Sequence, residues 1–220
     1  MMTERMSGVI TGLEAQVKRR ERISVFVDGE FAAGVHGDVA AALGLQIGQP
    51  VETSQVAAWL AEEEKHRAQD AALAYLGTRA RSRTEVRRRL VRAGYEADLI
   101  EEVLDSLAQI GYLNDQAFSQ AWVAARSQGR IAGRTRLAAD LRQRGVAGDV
   151  VESALASRDD GEEFGLALQL ARERSTRQTD ADPIVRRRRL AGFLQRRGFS
   201  WPICLQVLDQ VLGEEEDISA

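Results

Sequence analysis

The chain has 220 residues, of which 44% are hydrophobic and 29% are charged, and this globular composition excludes wholesale disorder. No apolar run approaches the roughly 18 residues of a membrane span, and the first residues resemble no signal peptide, so we expect a cytoplasmic protein. The net charge of -3 conceals a segregation, because residues 66–198 carry a net +6 whereas residues 1–65 and 199–220 carry -4 and -5.

The first 52 residues predict a small β module. Ile23, Val25 and Val27 alternate with polar residues, and Asp28-Gly29 follows them as a tight-turn signal, so residues 23–32 are typical of a β-hairpin. The segment 9–17 offers an earlier strand. A short helical stretch around residues 38–43 precedes Gly44, Gly48 and Pro50, which interrupt regular structure and end the module near residue 52.

Three glycines reveal an internal repeat in the remaining chain. Gly94, Gly145 and Gly198 are 51 and 53 residues apart, each with a leucine four residues before it and another ten residues after it. This pattern predicts a helix that ends at a left-handed glycine, followed by a second amphipathic helix. Earlier helices at about 69–78, 115–127 and 162–175 complete three-helix units.

We therefore predict a mainly α protein, in which three-helix bundles form an elongated tandem array behind the N-terminal β-hairpin module. The predicted boundaries are 1–52 for that module, 53–113, 114–158 and 159–213 for the repeats, and 214–220 for an acidic tail. Asn114 is expected to cap the first helix of repeat two, with Leu113 packing on Phe118. The polar junction at 157–161 predicts a looser connection, where the array bends.

Arginine is concentrated in the second helix of every unit. Residues 79–94, 126–145 and 183–198 have net charges of +6, +5 and +6, and only two of the 30 basic residues are lysine. A high genomic GC content also favours arginine codons, but it does not explain the clustering. Guanidinium groups suit bidentate contacts to phosphate or carboxylate. The candidate partner- and nucleic-acid-binding residues are Arg79, Arg81, Arg83, Arg87, Arg88, Arg126, Arg134, Arg136, Arg142, Arg187 and Arg188.

Arg83, Arg134 and Arg187 each lie eleven residues before their glycine and predict a row of side chains that bind a partner. The alternative is that these basic helices pair with the acidic third helices, which carry net charges of -6 over residues 95–115 and -5 over residues 146–165. Such surface pairs contribute about 0–1 kcal/mol each. Runs such as residues 186–189 point around the helix and cannot all face one acidic neighbour.

No catalytic or metal-binding pattern is evident. The two histidines, His36 and His66, are far apart, and the single cysteine, Cys204, occupies an apolar repeat position, so we expect no cofactor, no metal and no enzymatic activity. The acidic runs 62–64 and 214–217 are expected to be solvated. Tyr75, Phe118 and Trp122 are expected in the core, and Trp59 and Trp201 are left unassigned.

Several stretches resemble the RecX family of RecA recombinase regulators. They are 71–76 followed by Arg79, Arg81 and Glu85, the stretch 111–115 with Phe118 and Trp122, and the hairpin 25–31. The resemblance covers nearly the whole chain and is weakest in repeat three and the tail. It implies a cytoplasmic, monomeric protein that binds the RecA filament and its single-stranded DNA, binds free DNA weakly, and inhibits ATP hydrolysis and strand exchange.

Two other functions stay open at this point. The three-helix units could bind duplex DNA as helix-turn-helix domains, although acidic third helices oppose entry into the major groove. The chain could also be a helical scaffold for other proteins, independent of RecA and of nucleic acid. Salt sensitivity of binding would distinguish nucleic-acid contact from a scaffold.

Overall fold

A computed structural model describes residues 8–17, 20–176 and 182–219, without the side chains of residues 128 and 214–219. The chain divides into two compact units: Met1–Arg79 with Arg87–Ser106, and Ala80–Val86 with Leu107–Ala220. The fold is mainly helical, as predicted. In chain order the elements are β1 (Gly8–Ala15), β2 (Arg22–Val27), β3 (Glu30–His36), α1 (Gly37–Ala42), β4 (Pro50–Val51), α2 (Thr53–Leu76), α3 (Arg83–Arg92), α4 (Ala97–Gln109), α5 (Asp115–Gln128), α6 (Arg134–Gln143), α7 (Gly148–Leu155), α8 (Asp160–Ser175), α9 (Pro183–Arg197) and α10 (Trp201–Ser219).

The N-terminal strands form an antiparallel sheet of order β3-β2-β1-β4. The predicted hairpin is confirmed, since Asp28 and Gly29 have φ values of 49° and 85° and connect β2 to β3. Positive φ at both positions is characteristic of a type I′ turn, whose twist matches that of the strands. The earlier strand is confirmed as β1, whereas the two-residue strand β4 was not predicted.

Helix α2 begins at Thr53, well before the predicted start near residue 69. Gln55 accepts a hydrogen bond from the Glu52 backbone N–H at 2.7 Å, as part of a capping box. No glycine or proline interrupts the following residues, so the helix continues for 24 residues. Its first turns bury Val56 and Trp59 in the core of the sheet, which assigns Trp59 to packing.

The solvated assignment of the acidic run 62–64 is wrong for Glu63, which is 4% exposed. Its carboxylate accepts the backbone N–H of His36 at 2.6 Å and pairs with the guanidinium of Arg22. Arg22 also donates to the Gly34 carbonyl at 2.6 Å. Arg22, on strand β2, thus compensates the buried charge of Glu63. The helical pattern around Glu63 does not indicate this partner.

All three repeat glycines end a helix in the left-handed conformation, as predicted, with φ values of 90°, 77° and 91°. The residue after each glycine donates its N–H to the carbonyl of the leucine four positions before the glycine, at 3.3, 3.2 and 3.3 Å. Each glycine N–H donates to the carbonyl of the residue three positions before it, at 2.9–3.0 Å. These are the paired bonds of a Schellman motif. The leucines Leu90, Leu141 and Leu194 are fully buried.

The second unit contains two apolar cores, one around α5–α7 and one around α8–α10. Cys204 is fully buried in the latter, as predicted, and burial raises the pKa of its thiol. Asn114 accepts the Ala117 N–H at 2.9 Å and caps α5, which confirms that assignment. Within the described residues, no helix has the length and apolarity needed to cross a bilayer.

Candidate partner-binding surface

The start of α3 is joined to the end of α6 through side-chain hydroxyls. Ser82 Oγ donates to the Arg144 carbonyl at 2.6 Å, and Thr84 Oγ1 donates to the Gly145 carbonyl at 2.9 Å. These carbonyls have no partner inside α6 because they lie at its C-terminal end, so the hydroxyls satisfy them. An ion pair of 2.8 Å between Arg144 and Glu85 closes the joint.

The start of α6 is joined to the end of α9 at the same repeat positions. The N–H groups of Gly133 and Thr135 donate to the carbonyls of Arg197 and Gly198 at 2.8 and 3.2 Å. Gly133 and Thr135 lie twelve and ten residues before Gly145, as Ser82 and Thr84 do before Gly94. The joint therefore recurs with backbone donors in place of hydroxyls.

Two of the three equivalent arginines donate their backbone N–H groups to a carboxylate. The N–H of Arg83 donates to Asp115 at 2.8 Å and that of Arg134 donates to Glu163 at 3.0 Å, so each helix start receives an acid from the next helical repeat. The guanidinium of Arg134 donates to the Arg158 carbonyl. Arg187 instead lies inside α9, and its guanidinium pairs with Asp209 at 2.7 Å.

The guanidinium groups of Arg134 and Arg187 therefore have partners within the chain, in addition to any partner that the predicted row would bind. Arg87 likewise pairs with Glu101 through two hydrogen bonds of 2.5 and 2.7 Å. Pairing between the basic second and acidic third helices accounts for Arg87 and Arg187.

The predicted loose junction at 157–161 is also corrected. Arg158 is 1% exposed, lies 2.6 Å from Glu163 and donates to the Ala132 carbonyl at 3.0 Å. Asp159 caps α8 by accepting the Glu162 N–H at 2.8 Å. Burial raises the pKa of Glu163, while the Arg134 N–H and the Arg158 charge oppose that rise. A buried charge pair fixes this junction.

Trp122 is half-buried rather than enclosed in the core. The guanidinium carbons of Arg126 and Arg144 lie 4.7 and 4.0 Å from its ring centre, within cation–π range. Arg126 is therefore stacked on an aromatic ring, and Arg144, which was absent from the predicted set, belongs both to this stack and to the α3–α6 joint.

Exposed guanidinium groups remain at grooves between the second and third helices. A 480 Å³ groove between α6 and α7 is lined by Arg134, Thr135, Ala138, Arg142, Val151, Glu152, Leu155 and Ala156. A 570 Å³ groove between α9 and α10 is lined by Ile184, Arg187, Arg188, Ala191, Gly192, Gln195, Arg196, Trp201, Leu205 and Leu208.

The α6–α7 and α9–α10 grooves are equivalent in the repeat. A shift of 53 in residue number superimposes six lining residues of the first groove on lining residues of the second. Arg134 corresponds to Arg187 in this way, and Ala138 corresponds to Ala191. Arg142 and Arg188 line these grooves and make no ion pair within the described part of the chain. Trp201, unassigned from sequence, lines the α9–α10 groove and is 50% exposed.

The remaining predicted arginines fall into two classes of exposure. Exposed side chains are those of Arg79, Arg88 and Arg136, and half-buried ones are those of Arg81, Arg83, Arg87 and Arg126. Arg136 pairs with Asp140 at 3.0 Å. Sequence reasoning missed a 470 Å³ depression on α9 lined by Arg174, Arg188, Arg189 and Arg196, whose signal was the arginine run at 186–189.

Family models of RecX match this chain along most of its length. The N-terminal domain model of regulatory protein RecX matches residues 8–52, and the first, second and third three-helix domain models match residues 68–107, 114–155 and 161–208. The chain belongs to the RecX family. This membership confirms the resemblance seen in the sequence.

Relatives named Regulatory protein RecX are similar over the same region. One from Mycobacterium avium is 41% identical over 146 residues, covering 66% of this chain and 84% of the relative. One from Mycolicibacterium vanbaalenii is 37% identical over 151 residues, covering 66% and 82%. A crystal structure of regulatory protein RecX covers 91% of this chain and 98% of its own, with a TM-score of 0.76 and 24% identity, which supports the fold alone.

Proposed function

We propose that this RecX-family chain is a non-catalytic cytoplasmic regulator that binds RecA recombinase filaments on single-stranded DNA as a monomer. Binding inhibits the ATPase and strand-exchange activities of the filament and so modulates DNA repair and recombination. Family membership supports the regulatory role. The recurrence of one groove in two successive repeats is the structural observation that supports an extended, regularly repeating target.

The chemistry of the grooves suits a protein filament that contains nucleic acid. Each groove has guanidinium groups on its second-helix wall and apolar residues such as Leu155 or Leu208 from its third helix. Arginine binds carboxylate and phosphate in bidentate geometry, and the apolar residues offer area to a partner side chain. The negative net charge of the whole chain is compatible with this proposal, because the basic groups are concentrated in the second helices.

Arg142 and Arg188 are the best candidates for partner contact. Both are exposed groove residues whose guanidinium groups are not engaged in ion pairs among the described residues. Reversal of Arg134 or Arg187 would also break internal contacts, so a loss of binding there would be ambiguous. Charge reversal at Arg142 and Arg188 therefore tests the surface with the least effect on folding.

The experiment measures cosedimentation with recombinase filaments on single-stranded DNA, and inhibition of their ATPase, for Arg142→Glu, Arg188→Glu and the double variant. Each single reversal should weaken filament binding by about 1.5–3 kcal/mol, the range for hydrogen bonds to charged groups. Arg130→Glu is the matched control, because Arg130 is exposed between α5 and α6 and lines neither groove. The Arg130→Glu variant should inhibit the ATPase of the filaments as strongly as the wild type does.

Full inhibition by a folded double variant would exclude the two grooves as the binding surface. Bare DNA and free recombinase are measured in parallel, with a salt titration, because equal binding to bare duplex DNA would favour a DNA-binding protein instead. Salt-insensitive binding that needs no DNA would favour a protein scaffold. ATP turnover by the repurified chain alone would overturn the non-catalytic assignment.

A further inference from the structure

The two histidines of the chain meet on the surface of the first unit. His36 ends β3 and precedes α1, whereas His66 lies in the middle of α2. Their rings stack with centroids 4.3 Å apart and planes inclined by 20°. No local sequence pattern indicates this pairing, because 29 residues lie between the two histidines and the fold brings them together.

Asp38 supplies a carboxylate to the same point. Its Oδ2 atom lies 3.5 Å from His36 Nδ1 and 4.0 Å from His66 Nε2, and one ligand atom from each of the three residues falls within 4.8 Å of the others. Ligand atoms held tetrahedrally at about 2.0–2.2 Å from zinc are separated by roughly 3.4 Å. Because the lone pairs lie in the planes of the stacked rings, the two imidazoles must turn toward a common ion, and their partial exposure of 23% and 22%, with 83% for Asp38, leaves room for that rotation.

The contacts of the ring nitrogens indicate how each histidine would meet a cation. His66 Nδ1 lies 3.3 Å from Asp70 Oδ2 on the next turn of α2, whereas Nε2 is the ring nitrogen near Asp38, at 4.0 Å from its Oδ2. A carboxylate behind a ligating histidine is the usual supporting contact in metal sites. His36 Nδ1 accepts the Asp38 backbone N–H at 3.2 Å, so ligation through Nδ1 would replace that hydrogen bond.

The backbones of the ligand residues are already held in place. Glu63 lies one helical turn before His66, on the same side of α2, and its buried carboxylate accepts the His36 backbone N–H at 2.6 Å. Arg22 from the adjacent strand pairs with that carboxylate. The strand end and the helix are therefore fixed relative to each other before any cation binds, which lowers the entropic cost of assembling the ligands.

We propose that His36, Asp38 and His66 bind a divalent transition-metal ion of the zinc class, with Asp70 orienting His66 and water in the fourth position. Two imidazoles and one carboxylate favour Zn²⁺ over the hard cations Mg²⁺ and Ca²⁺, which prefer oxygen ligands. The ion connects β3 and α1 to α2, so its binding stabilises the N-terminal module. This site lies apart from the arginine grooves and does not depend on the proposed function.

The test is titration of the full-length, tag-free chain with ZnCl₂ by calorimetry, together with its thermal midpoint with and without Zn²⁺. We expect one ion per chain and a raised midpoint, with Mg²⁺ giving neither effect. His66→Gln and Asp38→Asn should each weaken binding more than about 100-fold, since loss of an outer carboxylate typically gives a 10–100-fold effect. Asp70→Asn should weaken Zn²⁺ binding by about 10–100-fold.

Glu64→Gln is the matched control, because Glu64 is an exposed carboxylate on the same helix outside the cluster, and its affinity should stay within about twofold of the wild type. Asp38→Asn keeps the proposal testable if His66→Gln unfolds, because Asp38 is mainly exposed. Absence of Zn²⁺ binding by the wild type would overturn the proposal. Undiminished binding by the Asp38 and His66 variants would place the ion elsewhere and would also overturn it.

Discussion

Replacing Gly145 with alanine probes the joint between the end of α6 and the start of α3. Gly145 has a φ of +77°, and a Cβ there would lie 2.4 Å from Thr84 Cγ2. A side chain in left-handed backbone destabilises by about 1–2 kcal/mol. Displacing Thr84 adds about 1–3 kcal/mol of overpacking and weakens its hydrogen bond to the Gly145 carbonyl. We expect a total loss of about 2–5 kcal/mol in the free energy of unfolding.

Gly94→Ala provides the matched control. Gly94 ends its helix with the same Schellman bonds and a φ of +90°, but no atom lies within 4 Å of a Cβ built there. Only the conformational strain applies, so we expect a loss of about 1–2 kcal/mol. The difference between the two losses in unfolding free energy therefore measures the effect of the close contact between the end of α6 and the start of α3.

The assay is urea-induced unfolding followed by circular dichroism, and a double-mutant cycle with Thr84→Gly. Removing the Thr84 side chain should restore much of the stability lost in Gly145→Ala, because the overlapping atoms are gone. Equal losses for Gly94→Ala and Gly145→Ala, with no recovery in the double variant, would refute the reasoning.

Three further outcomes follow from buried groups in the second unit. Arg158→Ala should lower the free energy of unfolding in urea by about 3–5 kcal/mol, because it leaves the Glu163 carboxylate buried without its cation. An unchanged free energy of unfolding would instead support a loose connection at residues 157–161. Because burial raises the folded-state pKa of Glu163 above 4.5, its contribution to stability is present at low pH and is lost as pH rises through the folded pKa. The stability of the wild type minus that of Glu163→Gln should therefore fall as pH rises above about 4, and a rise would contradict this assignment. The Cys204 thiol, the only one in the chain, should react with a thiol reagent at the rate of unfolding, and fast labelling of the native chain would show that it is accessible.

The charge pattern illustrates what sequence reasoning resolved only in part. It located the basic second helices and the acidic third helices, because net charge per helix needs no structure. It did not separate Arg142, which makes no ion pair among the described residues, from Arg187, which pairs with Asp209. Helical position defines the direction of a side chain relative to its own axis, whereas its partner depends on how neighbouring helices cross.

Buried charge was the main source of error. Glu63 and Arg158 lie in polar stretches that predict solvated surface, yet each is less than 5% exposed. Both are compensated by residues distant in sequence: Arg22 for Glu63, and the Ala132 carbonyl together with nearby Glu163 for Arg158. A local pattern contains no record of such a partner, so it predicts the exposure that most charged residues have.

The sequence by itself determined the repeat, the hairpin turn and the helix ends at the three repeat glycines, because each depends on local chemistry. Left-handed backbone favours glycine, and apolar spacing of three to four residues defines a helical face. Tertiary structure decided the joints between helix ends, the two equivalent grooves and the meeting of His36 with His66. These depend on contacts across tens of residues, where the packing of elements places side chains that no short-range pattern relates.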